Sequence, residues 1–259
     1  MTFLTAPIDT GASMLSIKTI LIYFLSVSSI TTTEVQINIC DNFAVVASKL
    51  DLPKWHNDAA QSTQFIENTN LDFYQQGWVL KIEKQMAANE ISVILKKNFP
   101  ALTSEITTNK LSALKTAKCE YDLHGTDKKL ACKMKNKISL RELNSILQTK
   151  SFKDLLSDDQ KKWFKQENGI WPPDLQITAD FTDQDYTQSL PLSTEEIVLG
   201  ITCTQTGQEF IELSSRTLTT QAQSAQITLI QFLQSKNVRV CADQSSVHTL
   251  DKLKSFFGH

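Results

Sequence analysis

Apolar and polar positions alternate with the period of a half-buried strand along much of this chain. Val35, Ile37 and Ile39 fall opposite Glu34, Gln36 and Asn38. Trp78, Leu80 and Ile82 fall opposite Lys81 and Glu83, and Glu212 faces away from Ile211 and Leu213. Further strands are predicted over 63–68 with a turn at 68–70, and over 91–97, 174–181, 196–203, 208–214 and 238–242. Residues 119–132 read CEYDLHGTDKKLAC, with Gly125-Thr126 as a two-residue hairpin turn. That turn pairs His124 with Asp127 and places Cys119 opposite Cys132, close enough for a disulfide. One face of the hairpin carries Cys119, Tyr121, Leu123, Leu130, Cys132 and Met134; the other carries Lys118, Glu120, Asp122, Lys129, Lys133 and Lys135.

Helical signals interrupt the strands. Ser139-x-x-Glu142 and Ser157-x-x-Gln160 are capping boxes, each opening a short helix, and Gly169 stops the second. A helix is predicted over 221–235, and a last one carries Leu250, Leu253, Phe256 and Phe257 on one face. Trp163 and Trp171 are expected to pack the helical block or, in a closed architecture, cap the barrel. The pattern is α+β. Two architectures satisfy two-faced strands: an open sheet with one solvated face, or a closed barrel with a polar lumen and helices outside. Alternation alone does not separate them.

At 259 residues and 41% hydrophobic, the chain is long enough for a core without metal or disulfide scaffolding. A 21% charged fraction with this apolar content excludes disorder. No apolar run reaches the ~18–20 residues of a membrane span, and a net charge of −2 makes no global electrostatic case for nucleic acid. Residues 17–30 follow the order of a secretory signal: Lys18, an apolar stretch, then small residues. The expectation is a signal peptide over 1–29, with Met14 as an alternative start, and a single domain over 30–259 in an exported, periplasmic or secreted protein. All five cysteines lie beyond the signal, and none forms a C-x-x-C pair, so zinc has little support. Disulfides suit an oxidising compartment. Cys119–Cys132 is the expected bridge and Cys203–Cys241 a second, leaving Cys40 over.

Charge is unevenly spread. Residues 110–137 carry eight lysines against Glu120, Asp122 and Asp127, a net of +5, whereas 172–215 carry eight carboxylates and no Lys or Arg. On a solvated surface these segments are simply hydrated; around a lumen they become facing walls. Asp180-x-x-Asp183-x-Asp185 lacks the glycine and distal glutamate of a calcium-binding loop. The four histidines are scattered, and neither a nucleophile–histidine motif nor phosphate-loop glycine spacing is present.

Phe65-Ile66-Glu67-Asn68-Thr69-Asn70-Leu71-Asp72-Phe73, followed by Gly77-Trp78-Val79-Leu80-Lys81-Ile82, resembles the CYTH family of triphosphate tunnel metalloenzymes. Glu67 and Asn70 stand near two aspartates of the family pattern, and Lys81 stands at the first arginine of its Arg-x-Arg. Ser92-Val93-Ile94-Leu95-Lys96 resembles the next strand, and Gly207-Gln208-Glu209-Phe210-Ile211-Glu212 the late strand that carries metal-binding glutamates. The resemblance implies an antiparallel eight-stranded barrel, a charged tunnel and external helices. It implies anion contacts from Lys81, Lys96, Lys133 and Lys135, and Mg²⁺ or Mn²⁺ held by Glu34 and Glu212. The chain departs from the pattern at three positions. The signature Glu-x-Glu-x-Lys reads Glu34-x-Gln36-x-Asn38, and the second arginine is Glu83. A carboxylate aimed at a bound triphosphate repels it.

Three functions follow as expectations. The first is an exported domain that binds a polyphosphate or organic phosphate in its lumen without efficient turnover. The second is an active metal-dependent tripolyphosphatase using the same residues. The third is a structural or partner-binding exported protein with no small-molecule site.

Overall fold

The computed structural model describes residues 32–85, 90–99, 117–189, 196–244 and 248–258. The expected signal segment, Lys110, Lys115, Glu195 and His259 lie outside the described residues.

Eleven strands share one sheet: β1 Thr32–Ile39, β2 His56–Asn57, β3 Gln61–Glu67, β4 Trp78–Gln85, β5 Glu90–Phe99, β6 Lys118–His124, β7 Asp127–Ser139, β8 Gln176–Ile177, β9 Phe181–Ser189, β10 Glu196–Cys203 and β11 Glu209–Leu218. Nine of them close a ring in the order β9-β10-β11-β1-β6-β7-β5-β4-β3, sealed by β3 against β9 through Thr63↔Phe181 and Gln61↔Asp183. The two-residue strands β2 and β8 lie against its rim on β9 and β3. The expected eight-stranded antiparallel barrel is thus corrected in count and direction. Each antiparallel step reverses strand direction, so an odd ring cannot alternate throughout. Among the described residues the one parallel pair is β1 with β6, registered Thr33↔Tyr121 to Gln36↔His124.

The helices pack outside in two groups. Helices α1 Phe43–Leu50 and α5 Ala222–Ser235 cover β1, β10 and β11, where Val35, Ile37, Ile197, Leu199 and Leu213 meet Val46, Leu50, Leu229 and Leu233. Asn42 caps α1 by accepting the Val45 N–H at 3.0 Å. Helices α3 Leu140–Thr149 and α4 Asp158–Gln166 cover β4, β5 and β7. Both predicted capping boxes form there, from Ser139 with Glu142 and from Ser157 with Gln160. Trp163 stacks edge-on against Trp78 at 5.0 Å between centroids, and Trp171 packs the same cluster. Buried Gln160 also donates to the carbonyls of Val93 and Met134 at 3.2 and 3.1 Å, stitching α4 to two strands. Every apolar strand face named above turns outward under a helix, and each such large side chain removed from water stabilises the fold by ~1.5–3 kcal/mol. The polar faces are therefore left to the lumen.

A third cluster lies in one mouth of the barrel. Helix α6 His248–Phe257 places Leu253 with Leu250 and Phe257 against Phe65, Leu71, Val79 and Phe181. A short helix, α2 Asp72–Gln75, turns the chain at that mouth. Its first-turn N–H groups at Phe73 and Tyr74 donate to the carboxylate of Glu67, which is 2% exposed. Glu67, matched to a family aspartate, is thus a buried cap for this corner.

Two local expectations change. Residues 174–181 form a rim segment containing β8, and the long strand β9 begins only at Phe181. Thr178 takes the strand's place beside β3, its hydroxyl accepting the Phe65 N–H at 2.8 Å. Residues 238–242 make a single bridge, Val240 to Ile39, rather than a strand. That bridge sets Cys40 beside Cys241, and the two are joined; Cys203 is free, in place of the expected Cys203–Cys241 pair. Cys203 ends β10, with β11 lying between it and β1. Cys119 and Cys132 are bridged in the predicted hairpin register.

Candidate functional site

The lumen is one cavity of about 760 Å³. Several strands contribute alternate residues to it: Glu34 and Gln36 from β1, Val79, Lys81 and Glu83 from β4, Ile94, Lys96 and Asn98 from β5, and Lys129, Ala131, Lys133 and Lys135 from β7. Lys118, Glu120, Asp122 and His124 enter from β6, Asp183 from β9, and Glu212 and Arg216 from β11. All six residues named from the sequence as anion or metal contacts, Lys81, Lys96, Lys133, Lys135, Glu34 and Glu212, line this cavity. Eight Lys or Arg face six Asp or Glu among the lining residues.

The strand order sorts these charges. β4, β5 and β7 are neighbours and carry Lys81, Lys96, Lys129, Lys133 and Lys135; β9 and β11, joined through β10 across the ring, carry Asp183, Asp185 and Glu212. The basic and acidic stretches of the sequence thus become opposite walls. Gly200 on β10 lets the acidic wall close up, since a Cβ there would lie 3.3 Å from Asp185 Oδ1 and 3.9 Å from Glu212 Oε1.

The basic wall is internally paired. Lys81 Nζ lies 2.6 Å and Lys135 Nζ 3.7 Å from the Glu83 carboxylate. Lys96 Nζ lies 2.7 Å from Asp122 Oδ2, and Lys133 Nζ 3.2 Å from Glu120 Oε1. Arg216 bridges Glu34 at 3.1 Å and Glu120 at 3.0 Å. The pairing shows in proton affinity. Burial pushes the Glu83 carboxyl up, but Lys81, Lys135 and Lys133 outweigh it and hold it below the usual range. Burial likewise opposes charge on Lys96, yet Asp122, Glu34 and Glu120 raise its affinity for the proton overall.

Glu34 behaves differently. Burial, together with the charges of Glu120, Asp122 and Glu212, raises its carboxyl above the usual range against the pull of Arg216. Glu34, Glu120 and Asp122 offer oxygens within 4.8 Å of one another. Asp122 is buried, and its Oδ1 has no hydrogen-bond partner. Three hard oxygen donors with one unsatisfied atom suit Mg²⁺ or Mn²⁺. Glu212 stands apart from this group, although its charge reaches Glu34.

On the acidic wall, burial first and then Asp183, Glu212 and Asp58 push the Asp185 carboxyl up to about 6. Lys252, from α6, reaches in from the mouth. Its Nζ donates to Thr202 Oγ1 at 2.7 Å and lies 3.8 Å from Asp183. Burial lowers the proton affinity of Lys252 by more than Asp183 and Glu212 restore.

Arg216 and Lys252 escaped the sequence reading. Arg216 continues the alternation of Glu212 and Ser214 on β11, which runs to Leu218, four residues past the predicted end. Lys252 carried no signal, because only the docking of α6 brings it inside.

No family model matches the chain, and no curated protein matches its sequence. Solved structures do match its fold. A Hippeastrum protein named for adenylyl cyclase, whose dominant activity is that of a triphosphatase, is 13% identical with a TM-score of 0.58; the match covers 86% of this chain and 95% of that one. A Bacillus halodurans protein named for adenylate cyclase is 13% identical with a TM-score of 0.53, over 83% of this chain and 95% of that one. At this identity the agreement is one of fold: the chain has a CYTH-like barrel fold with helices packed outside.

Proposed function

We propose that this protein binds a small anionic ligand, a polyphosphate or organic phosphate, in its lumen without efficiently hydrolysing it, and that it does so outside the cytoplasm. The observation that carries the reading is Glu83, seated between Lys81 and Lys135 where the family pattern has a phosphate-binding arginine. Phosphoryl transfer is driven by positioning and by cations that meet charge developing on the phosphate oxygens. Here the lysines converge but are already neutralised by carboxylates, so they hold an anion only by exchanging partners. That exchange costs part of the binding energy and leaves little positive field for the transition state. The two disulfides support an oxidising compartment.

One observation favours the active reading. The Glu34–Glu120–Asp122 group, with its unsatisfied Asp122 oxygen, fits a divalent cation. A bound Mg²⁺ or Mn²⁺ would supply charge neutralisation at the phosphate. Arg216 and Lys96 would have to yield part of their contact with these carboxylates.

Titration calorimetry with tripolyphosphate at low salt tests the proposal. The wild type binds, Lys81→Ala binds more weakly, and Glu83→Gln binds about tenfold more tightly because a paired carboxylate no longer opposes the anion. Phosphate release with Mg²⁺ or Mn²⁺ stays at the level of Lys81→Ala. Release well above that control would establish the active reading, and no heat of binding in any variant would refute both.

A further inference from the structure

We propose that Cys40–Cys241 is a reducible latch that holds helix α6 in the mouth of the lumen. Helix α6 belongs to no part of the barrel wall. Its apolar face plugs the mouth against Phe65, Val79 and Phe181, and Thr249 and Lys252 line the cavity. Besides these contacts, the helix is tethered to β1 through residues 239–244, which precede it in the chain. The Cys40 N–H donates to the Arg239 carbonyl at 2.9 Å, and the Cys241 N–H donates to the Asn38 carbonyl at 3.0 Å. Gln244 spans the same residue of β1, accepting from the Asn38 N–H at 2.8 Å and donating to its carbonyl at 3.0 Å. Among the described residues of this segment one strand-like bridge forms, so a few hydrogen bonds and one covalent bond hold it to β1.

The two disulfides differ in access. Cys132 is fully buried under the α3–α4 layer and Cys119 half-buried, whereas Cys40 is exposed and Cys241 half-buried. Exchange needs a thiolate to reach a sulfur, so accessible bridges are the labile ones. A dithiol reductant attacks the exposed bridge and forms a mixed disulfide, and its second thiol then displaces the protein sulfur. The S–S bond breaks, Cys40 and Cys241 each end as a thiol with one proton and one electron gained, and the donor leaves as its own disulfide. The segment before it then holds to β1 by hydrogen bonds alone, and the helix stays by its apolar contacts and by Lys252, whose burial opposes its charge. Its departure opens the mouth and releases Asp183 and Thr202 from Lys252. The gain in ligand access rests on the anion-binding reading; the latch does not.

Hydrogen exchange of the full chain tests it. The oxidised protein is compared with protein briefly treated with a water-soluble phosphine until it gains the mass of two hydrogens, and with Cys40→Ser/Cys241→Ser. Exchange across 248–258 is expected to rise about tenfold in both, with β1 and β11 unchanged. The Cys119→Ser/Cys132→Ser variant is expected to leave 248–258 as protected as in the wild type. Unchanged exchange in α6 overturns the proposal, as does an equal rise across β1 and β11 or prior reduction of Cys119–Cys132. No ligand enters this readout, so it stands apart from any failure of the lumen to bind tripolyphosphate.

Discussion

Single carboxylates illustrate how far a residue's role depends on its wall. Glu83 is held ionised by lysines, whereas Asp185, also in the barrel, is pushed up to about 6 by burial and by other carboxylates. A carboxyl with a folded pKa above its ordinary 3.8 is better held as the neutral acid. Its ionisation therefore detracts from stability above pH 6, and that loss is relieved as the pH falls from 6 towards 4. Asp185→Asn should raise the unfolding free energy at pH 7 by about 1 kcal/mol, a value reduced from the full linkage by lumen water. Urea unfolding at pH 7 and pH 4 measures it, and an equal gain at both would show that the charge is not the cause. Lys81, Lys96, Lys133 and Lys135 were legible from alternation and resemblance. Their partners were not, because the register opposes Lys133 to both Lys96 and Lys118, and the carboxylates that neutralise Lys96, Lys133 and Lys135 lie diagonally or on the strand beyond the neighbouring one.

Elements were legible where local chemistry decides them. The capping boxes at Ser139 and Ser157 and the turn at Gly125 satisfy backbone groups within a few residues, so their sequence signals suffice. Strand β9 was misplaced because its sequence, FTDQDYTQS, lacks an apolar stripe. It is a strand because β10 and β3 bond to its two edges and because the lumen accepts its aspartates. The corner between α2 and β4 depends on Gly77, whose φ is +78° and whose Cβ position lies 2.6 Å from the Asn98 carbonyl oxygen. Gly77→Ala meets both the backbone penalty and the clash, and should cost ~2 kcal/mol. A thermal melt lowered by several degrees is the expected result, and an unchanged melt would mean that the corner gives way freely.

For the whole molecule, closure matters more than any element. Nine strands force one parallel joint, and helices cover the outside. The basic and acidic segments, which nearly cancel in the net charge, are held across one cavity. Cys119–Cys132 closes a 13-residue separation in the hairpin that bears much of the basic wall. Cys119→Ser/Cys132→Ser should lower stability by ~3 kcal/mol, read as a lower urea midpoint. An unchanged midpoint would mean that strand pairing holds the hairpin without help from the bridge.

By itself, the sequence determined which residues alternate, where the capped helices start, how the hairpin is registered and which face of each strand is charged. These follow from interactions spanning a few residues and from the two-residue period of a strand. Tertiary structure decided that the sheet closes, that Cys40 takes Cys241, that Glu67 caps a corner and that Lys252 reaches the lumen. Each of these depends on which distant segments become neighbours, and no local period encodes that.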